Sequence, residues 1–375
     1  MEYRVFKDQN ISLLGMGTMR LPKLNPNEDK IDWARAQEMV DYAIAHGINY
    51  FDTAFMYHRG ESEKFIGPAL SKYPRESYKL VSKMPAWMCK TAEDVRSIFN
   101  KQLERTGAEY FDFYLCHNLS EDFEPYYFSE ELHVIETLEE LRAEGKIKYL
   151  GFSSHAGVEL LERFAKHHKW DFAQIQLNYM DWDFQNAKRQ YEILTELGLP
   201  VIVMEPVRGG RLADLGPEAN ALLKSHAPDK SLASWALRFA ASCENVLCVL
   251  SGMSNMEQMQ DNIETIENFK PMTDAERDIV FEAARILREK ALVPCTTCRY
   301  CNECPKEIDI PAMLAIYNEY ELGHNPFDLA DVKKHDPDKR PDQCIACGQC
   351  AEHCPQKIDI PKVLADLARI VEEKL

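Results

Sequence analysis

The chain has 375 residues, 45% of them hydrophobic and 28% charged, a soluble globular balance with room for one large domain and a small one. Its formal net charge of −17 excludes nucleic acid as a partner, because phosphate binding needs a clustered basic surface. No apolar run approaches the roughly 18 residues that cross a bilayer, and Met1–Asp8 has no apolar signal core, so the expectation is a cytoplasmic protein without a membrane partner.

Short apolar, β-branched runs recur up to Met253. In chain order they are Ile11–Gly17, Asn49–Ala54, Tyr78–Met84, Phe111–His117, Ile147–Ser154, Phe172–Asn178, Pro200–Val207 and Asn245–Met253. Amphipathic stretches of helical length lie between them, among them Trp33–His46, Ala92–Thr106, Ser129–Ala143 and Leu232–Ser242. Strand alternating with helix predicts a parallel sheet, and eight such units predict an α/β fold of (β/α)8 barrel type. A doubly wound open sheet is the alternative, but Gly15-Met16-Gly17 stops short of its glycine-rich fingerprint. Several runs finish in a polar residue: Asp52, Lys83, His117, Ser153, Asn178, Glu205 and Ser251. In a barrel these ends converge on one face, which predicts a shared site there.

After Lys270-Pro271 the pattern changes. Asp274–Ala291 reads as one charged amphipathic helix, with Thr273 or Asp274 as its N-cap. A boundary is expected near residue 292, giving a barrel domain over 1–291 and a small helical domain over 292–375. Eight of the twelve cysteines lie in the second part. Clustered cysteines in a reducing compartment point to metal rather than disulfides.

The first series is Cys295-x2-Cys298-x2-Cys301-x2-Cys304-Pro305, and the second is Cys344-x2-Cys347-x2-Cys350-x3-Cys354-Pro355. The second matches the bacterial ferredoxin run, in which the cysteine before proline ligates the other of two [4Fe–4S] clusters. An internal repeat supports the pairing: Ile308-Asp309-Ile310-Pro311 parallels Ile358-Asp359-Ile360-Pro361, each opening a helix with proline in its first turn. Crossed ligation is therefore expected, with Cys295, Cys298, Cys301 and Cys354 on one cluster and Cys344, Cys347, Cys350 and Cys304 on the other. Structural zinc is the alternative, but zinc sites rarely use three cysteines in so tight a series. Cys89, Cys116, Cys243 and Cys248 lack such spacing and read as buried small hydrophobes.

The segment Phe51-Asp52-Thr53-Ala54-Phe55-Met56-Tyr57-His58-Arg59-Gly60-Glu61-Ser62-Glu63 resembles the aldo/keto reductase signature, as do Lys83 and His117 at the ends of the next two runs. The resemblance spans about residues 11 to 270 and is to the branch with a C-terminal ferredoxin-like extension. It implies Tyr57 as proton donor to a carbonyl oxygen, Lys83 lowering the tyrosine pKa, Asp52 paired with Lys83, and His117 orienting the carbonyl. The chemistry agrees: a free phenol titrates near 10, too high for acid–base work at neutral pH, and an adjacent ammonium lowers it. The cofactor implied is NADP or NAD. By position, Ser153, Ser154 and Gln174 would hold its carboxamide, Gly209 and Gly210 its pyrophosphate, and Ser251, Gly252 and Asn262 its adenosine end. Met204 stands where an aromatic ring often stacks on the nicotinamide. Gly252 and Gln258 stand where a lysine and an arginine often meet the 2′-phosphate, a charge that Arg208 or Arg211 would have to replace.

A hydride carries two electrons and a cluster moves one, a mismatch that a flavin resolves. The favoured reading is a carbonyl reductase or alcohol dehydrogenase acting on a small molecule, its clusters an accessory redox or structural module. Two others stay open: an electron-transfer partner of a ferredoxin or flavoprotein, and a regulatory subunit sensing nicotinamide redox state. Trp87, Trp182 and Tyr126-Tyr127-Phe128 are candidates for lining the pocket.

Overall fold

The computed structural model describes residues 1–25, 30–289, 292–321 and 326–375. Two short strands, β1 (Tyr3–Phe6) and β2 (Gln9–Ser12), form an antiparallel hairpin. Eight parallel strands follow: β3 (Leu14–Gly17), β4 (Tyr50–Asp52), β5 (Lys79–Met84), β6 (Phe111–Leu119), β7 (Ile147–Ser154), β8 (Phe172–Gln176), β9 (Val201–Met204) and β10 (Val246–Ser251). They close in that order, with β10 pairing back to β3. Helices connect them on the outside and side chains fill the inside, so both faces of the sheet are covered. That is why β6 reads as a continuous run, buried at every residue, rather than an alternating one.

All eight predicted strands are present. The first is shorter than expected because Ile11 and Ser12 belong to the hairpin, which the sequence reading missed. Phe6 and Ile11 of the hairpin pack with Tyr50, Val81, Phe113, Phe172 and Ile202 from inside the barrel, closing it with apolar side chains. Arg4 fixes the hairpin by donating to the carbonyls of Ala241, Cys243 (2.9 Å) and Val246, just past a helix C-terminus where a cation is favoured.

Local signals explain the helices. Asp32 caps Trp33–Ala45 by accepting from the Arg35 N–H. Thr91 and Asp94 form a capping box at the start of Ala92–Thr106, and Gly107 ends that helix at φ 64°. The stretch expected as helix from Ser129 begins only at Val134, after His133 takes a left-handed φ of 47°.

The chain divides into two compact units, residues 1–207 with 233–273, and residues 208–232 with 274–375. The barrel strands all lie in the first. The second holds the helices Pro217–His226, Asp274–Arg288, Ile310–Glu321 and Ile360–Lys374 and the cysteine loops. Its core gathers Ile308, Ile310, Met313, Leu314, Ile358, Ile360, Leu364 and Leu367, so each half of the internal repeat contributes its Ile-Asp-Ile segment and the following helix. Ala291, the expected end of the first charged helix, and with it the expected boundary, lie outside the described residues. Among the described residues no helix is long and apolar enough to cross a membrane.

Candidate functional site

Asp52 ends β4, Lys83 is the penultimate residue of β5, and His117 lies near the end of β6. All three are buried. Tyr57, half-buried, opens a tight turn in which His58, Arg59 and Gly60 take φ values of 50°, 55° and 87°. Two successive non-glycine residues in the left-handed region are costly, and such strain concentrates at functional sites.

The Lys83 ammonium has three protons and three acceptors. It donates to Asp52 Oδ2 at 2.7 Å, to the Thr53 carbonyl at 2.7 Å and to the Tyr57 hydroxyl at 3.4 Å. The Tyr57 oxygen thus accepts from the lysine. Burial pushes the Asp52 carboxyl up and the Lys83 amine down; each one's charge opposes the shift of the other. Burial, then the Lys83 charge and then His155 push His117 well below its ordinary value, so its imidazole is neutral at pH 7. The Tyr57 and His117 rings are 6.3 Å apart, edge to face. The four residues that the sequence singled out therefore stand together.

A hydroxyl chain supports them from behind. Thr18 Oγ1 lies 2.9 Å from the Asp52 carbonyl and donates to it. Its proton being used, Ser62 Oγ donates to Thr18 (2.6 Å), and Thr53 Oγ1 to Ser62 (2.8 Å). The Tyr127 hydroxyl sits 2.9 Å from the Met84 carbonyl and 2.5 Å from that of His117, pinning the ends of β5 and β6 together.

Of the expected pocket residues, Trp87 lies beside His117, with ring centroids 5.4 Å apart, and stacks on Phe123 at 4.4 Å. Phe123 was missed, since a single aromatic in a polar loop gives no periodic signal. Tyr127 is a buried pin, Phe128 packs on Phe164, and Trp182 packs on Phe239.

The expected cofactor residues are mostly bonded among themselves. Asn262 donates to Ser251 Oγ at 2.8 Å, and Ser153 Oγ accepts from the Asn118 N–H at 2.8 Å. Ser154 Oγ accepts from the Ala156 N–H. Gln174 differs: its amide reaches Met204 Sδ at 3.5 Å, and its buried Oε1 accepts no hydrogen bond among the described residues. That orphaned acceptor suits a donor such as a carboxamide N–H. Gly252 is exposed, and a Cβ there would come within 3.2 Å of Arg20 Cδ. Gly209 and Gly210, in the second compact unit, take φ values of 68° and 101°. Arg211 in the same unit is paired with Glu319 at 2.9 Å.

The cysteine loops repeat the same backbone pattern, although the second is one residue longer before its last cysteine. Thr297 and Arg299 take left-handed φ two and four residues after Cys295, as Ala346 and Gly348 do after Cys344. Glu307 and Lys357 do so three residues after Cys304 and Cys354. The Thr297 N–H donates to Cys295 Sγ at 3.4 Å, and the Ala346 N–H to Cys344 Sγ at 3.4 Å. Two recesses result. One is lined by Cys304, Cys344, Cys347 and Cys350. The other is lined by Cys295, Cys298, Cys301 and Cys354. Burial first, then Cys298, Cys295 and Cys354, push the Cys301 thiol up. Burial, Cys344 and Cys304 push Cys350 up to about 11. Among the described residues no three Cys, His, Asp or Glu side chains are gathered closely enough to hold a single metal ion. Four thiols around a recess suit a larger inorganic group. The remaining four cysteines are buried, as expected.

A closed eight-stranded barrel carrying an Asp–Tyr–Lys–His set at its strand ends, joined to a cysteine-lined helical module, defines an oxidoreductase with an iron–sulfur domain. The chain belongs to the aldo/keto reductase family, whose model matches residues 13–284; a 4Fe-4S dicluster domain matches residues 294–358. The chain is 26% identical to the uncharacterized oxidoreductase YqkF of Bacillus subtilis, over 72% of this chain and 91% of that protein. It is 25% identical to an NADH-specific methylglyoxal reductase of Escherichia coli, over 75% and 97%. Among solved structures, it resembles the holo form of an aldo-keto reductase from Bacillus halodurans, with TM-score 0.63 and 26% identity over 76% of this chain and 96% of that one.

Proposed function

We propose that the chain reduces a small-molecule carbonyl, or oxidises the corresponding alcohol, with a nicotinamide cofactor and with Tyr57, Lys83, Asp52 and His117 as its catalytic residues. The observation that carries the reading is the Lys83 ammonium shared between Asp52 Oδ2 and the Tyr57 hydroxyl. Tyr57 donates its proton to the carbonyl oxygen, and the ammonium beside it stabilises the phenolate left behind. Asp52 holds that ammonium in place. His117, neutral, donates a hydrogen bond to the same carbonyl oxygen and so polarises it. The bound nicotinamide supplies the hydride.

Gln174 Oε1 would accept from the carboxamide, with Ser153, Ser154 and Met204 beside it, and Ser251, Gly252 and Asn262 would hold the adenosine end. Uncharged Gly252 and Gln258, together with the NADH-specific relative, favour NADH over NADPH. In the module, the two recesses support two [4Fe–4S] clusters in crossed ligation, one on Cys295, Cys298, Cys301 and Cys354, the other on Cys304, Cys344, Cys347 and Cys350. The barrel domain would then run to 291 and the cluster domain from 292. An electron-transfer role, to a ferredoxin or flavoprotein, is the second reading. It is favoured by the exposure of Cys347, alone among the eight cysteines, which would hold its cluster near solvent.

The test is Tyr57→Phe, purified without oxygen and assayed for carbonyl reduction with NADH and NADPH. A loss of about 10²-fold or more in kcat is expected, the typical worth of a positioned acid, with iron content unchanged. Full activity in this variant refutes the assignment.

A further inference from the structure

Glu63 is the most buried carboxylate beside the site, with no exposed surface. It lies in the first turn of the helix Glu61–Leu70, which crosses Ala92–Thr106 so closely that a Cβ on Gly67 would sit 1.8 Å from the Thr106 carbonyl oxygen. That approach brings three donors onto one carboxylate. Oε1 accepts from Ser82 Oγ at 2.8 Å and from Gln102 Nε2 at 2.7 Å. Oε2 accepts from Arg105 Nη1 at 3.1 Å.

Each donor leads back to the site. Ser82 precedes Lys83 in β5, and Gln102 Nε2 also lies 3.0 Å from the Lys83 carbonyl. Tyr114 of β6 donates in turn to Gln102 Oε1, which fixes the amide's orientation. Arg105 donates to the Phe55 carbonyl at 2.9 Å, two residues before Tyr57, and its guanidinium lies over the Phe55 ring at 4.1 Å. Gly60 makes room for that guanidinium, since a Cβ there would meet it at 2.9 Å.

We propose that Glu63 is a positioning residue: one buried carboxylate holds both the strand segment that carries Lys83 and the loop that carries Tyr57, and so sets their separation from behind the sheet. The inference rests on the catalytic reading of Lys83 and Tyr57. Glu63 also acts on Lys83 through its charge. The groups that bear on the ammonium are Asp52 and Glu63, both of which favour its charged form against burial. Tyr57 stands in front of it, and His117 is the imidazole whose proton affinity the Lys83 charge depresses. Arg105 faces Glu63 from the far side.

The test compares Glu63→Gln with Glu63→Asp. The glutamine keeps the volume, loses the charge and turns one acceptor into a donor facing a donor. The aspartate keeps the charge but is one methylene too short for all three donors. We expect kcat to fall about tenfold or more in both, since small misplacements of reacting groups cost up to about 10²-fold, with cofactor Kd within about twofold of wild type. The alkaline limb of the kcat profile moves to lower pH in Glu63→Gln only, because removing a buried negative charge eases proton loss from its neighbours. Crystal structures of the variants read the geometry without any substrate: the Lys83 Nζ to Tyr57 hydroxyl distance lengthens. If Glu63→Gln does not fold, Ser82→Ala and Arg105→Lys each cut one arm and are read the same way. An unchanged distance together with unchanged kcat and pH limb overturns the proposal. If Tyr57→Phe is fully active, the catalytic reading fails instead, and the distance alone decides whether Glu63 positions the pair.

Discussion

Asp52→Asn isolates the pairing on which the catalytic reading depends. The substitution keeps the shape but removes the anion that opposes burial at Lys83, whose amine then has the distant charge of Glu63 to hold its proton. If the buried amine becomes neutral, folding at pH 7 must remove a proton from a group that titrates near 10.5 in the unfolded chain. At about 1.4 kcal/mol per pH unit the upper bound is about 5 kcal/mol, at the top of the range of about 3–5 kcal/mol for breaking a buried pair. The sign follows from proton counting. The unfolded variant binds one more proton than the folded one between neutrality and 10.5, so stability rises with pH across that window. The same bound is about 1.4 kcal/mol at pH 9.5. Urea denaturation of wild type and Asp52→Asn at pH 7, 8 and 9.5 measures the gap between them, which should narrow steadily. A gap under about 1 kcal/mol at pH 7, or one that does not change with pH, refutes the idea that Asp52 keeps Lys83 charged.

Crossed ligation predicts a pattern of iron loss. Cys298→Ala and Cys354→Ala should each remove one cluster, about half the iron, and their double variant should lose no more; Cys298→Ala with Cys304→Ala should lose nearly all, and additive loss in the first pair refutes the crossing. Arg20 packs against Gly252, and we propose it as the cation that a 2′-phosphate would meet if NADPH bound in place of the favoured NADH. Arg20→Ala should weaken NADPH by about 10- to 100-fold, the worth of one charge-assisted hydrogen bond at about 1.5–3 kcal/mol, and leave NADH unchanged; equal effects on both refute that contact. Gly67→Ala should lower Tm, since its Cβ would overlap the Thr106 carbonyl and overpacking costs about 1–3 kcal/mol.

What the sequence made legible followed from how a barrel is built. A parallel strand covered on both faces is mostly apolar, so a run of apolar residues that finishes in a polar one marks where the strand leaves the core. That placed Asp52, Lys83 and His117 at one mouth without any structure. The cysteine loops were legible for a different reason: a repeat must satisfy the same backbone twice, and the paired left-handed residues after Cys295 and Cys344 are that requirement made visible. The hairpin escaped notice because Tyr3–Ser12 is short, with exposed Val5 and an alternation too brief to separate from a loop.

The layer behind the site escaped notice for a more general reason. Glu63, Ser82, Gln102 and Arg105 come from two helices and a strand, and none stands at a strand end. On its own helix or strand each reads as an ordinary polar residue. Only the close crossing at Gly67 brings them together, and the sequence shows that crossing as nothing more than a glycine in a helix. Yet a buried lysine needs such a layer. Its ammonium spends all three protons on Asp52, Thr53 and Tyr57, so any drift of β5 against the Tyr57 loop is felt first at the longest of those bonds, the 3.4 Å contact to the phenol. The front layer carries the chemistry that a strand end can announce. The back layer sets how far apart its members stand, and that distance exists only once the helices have packed.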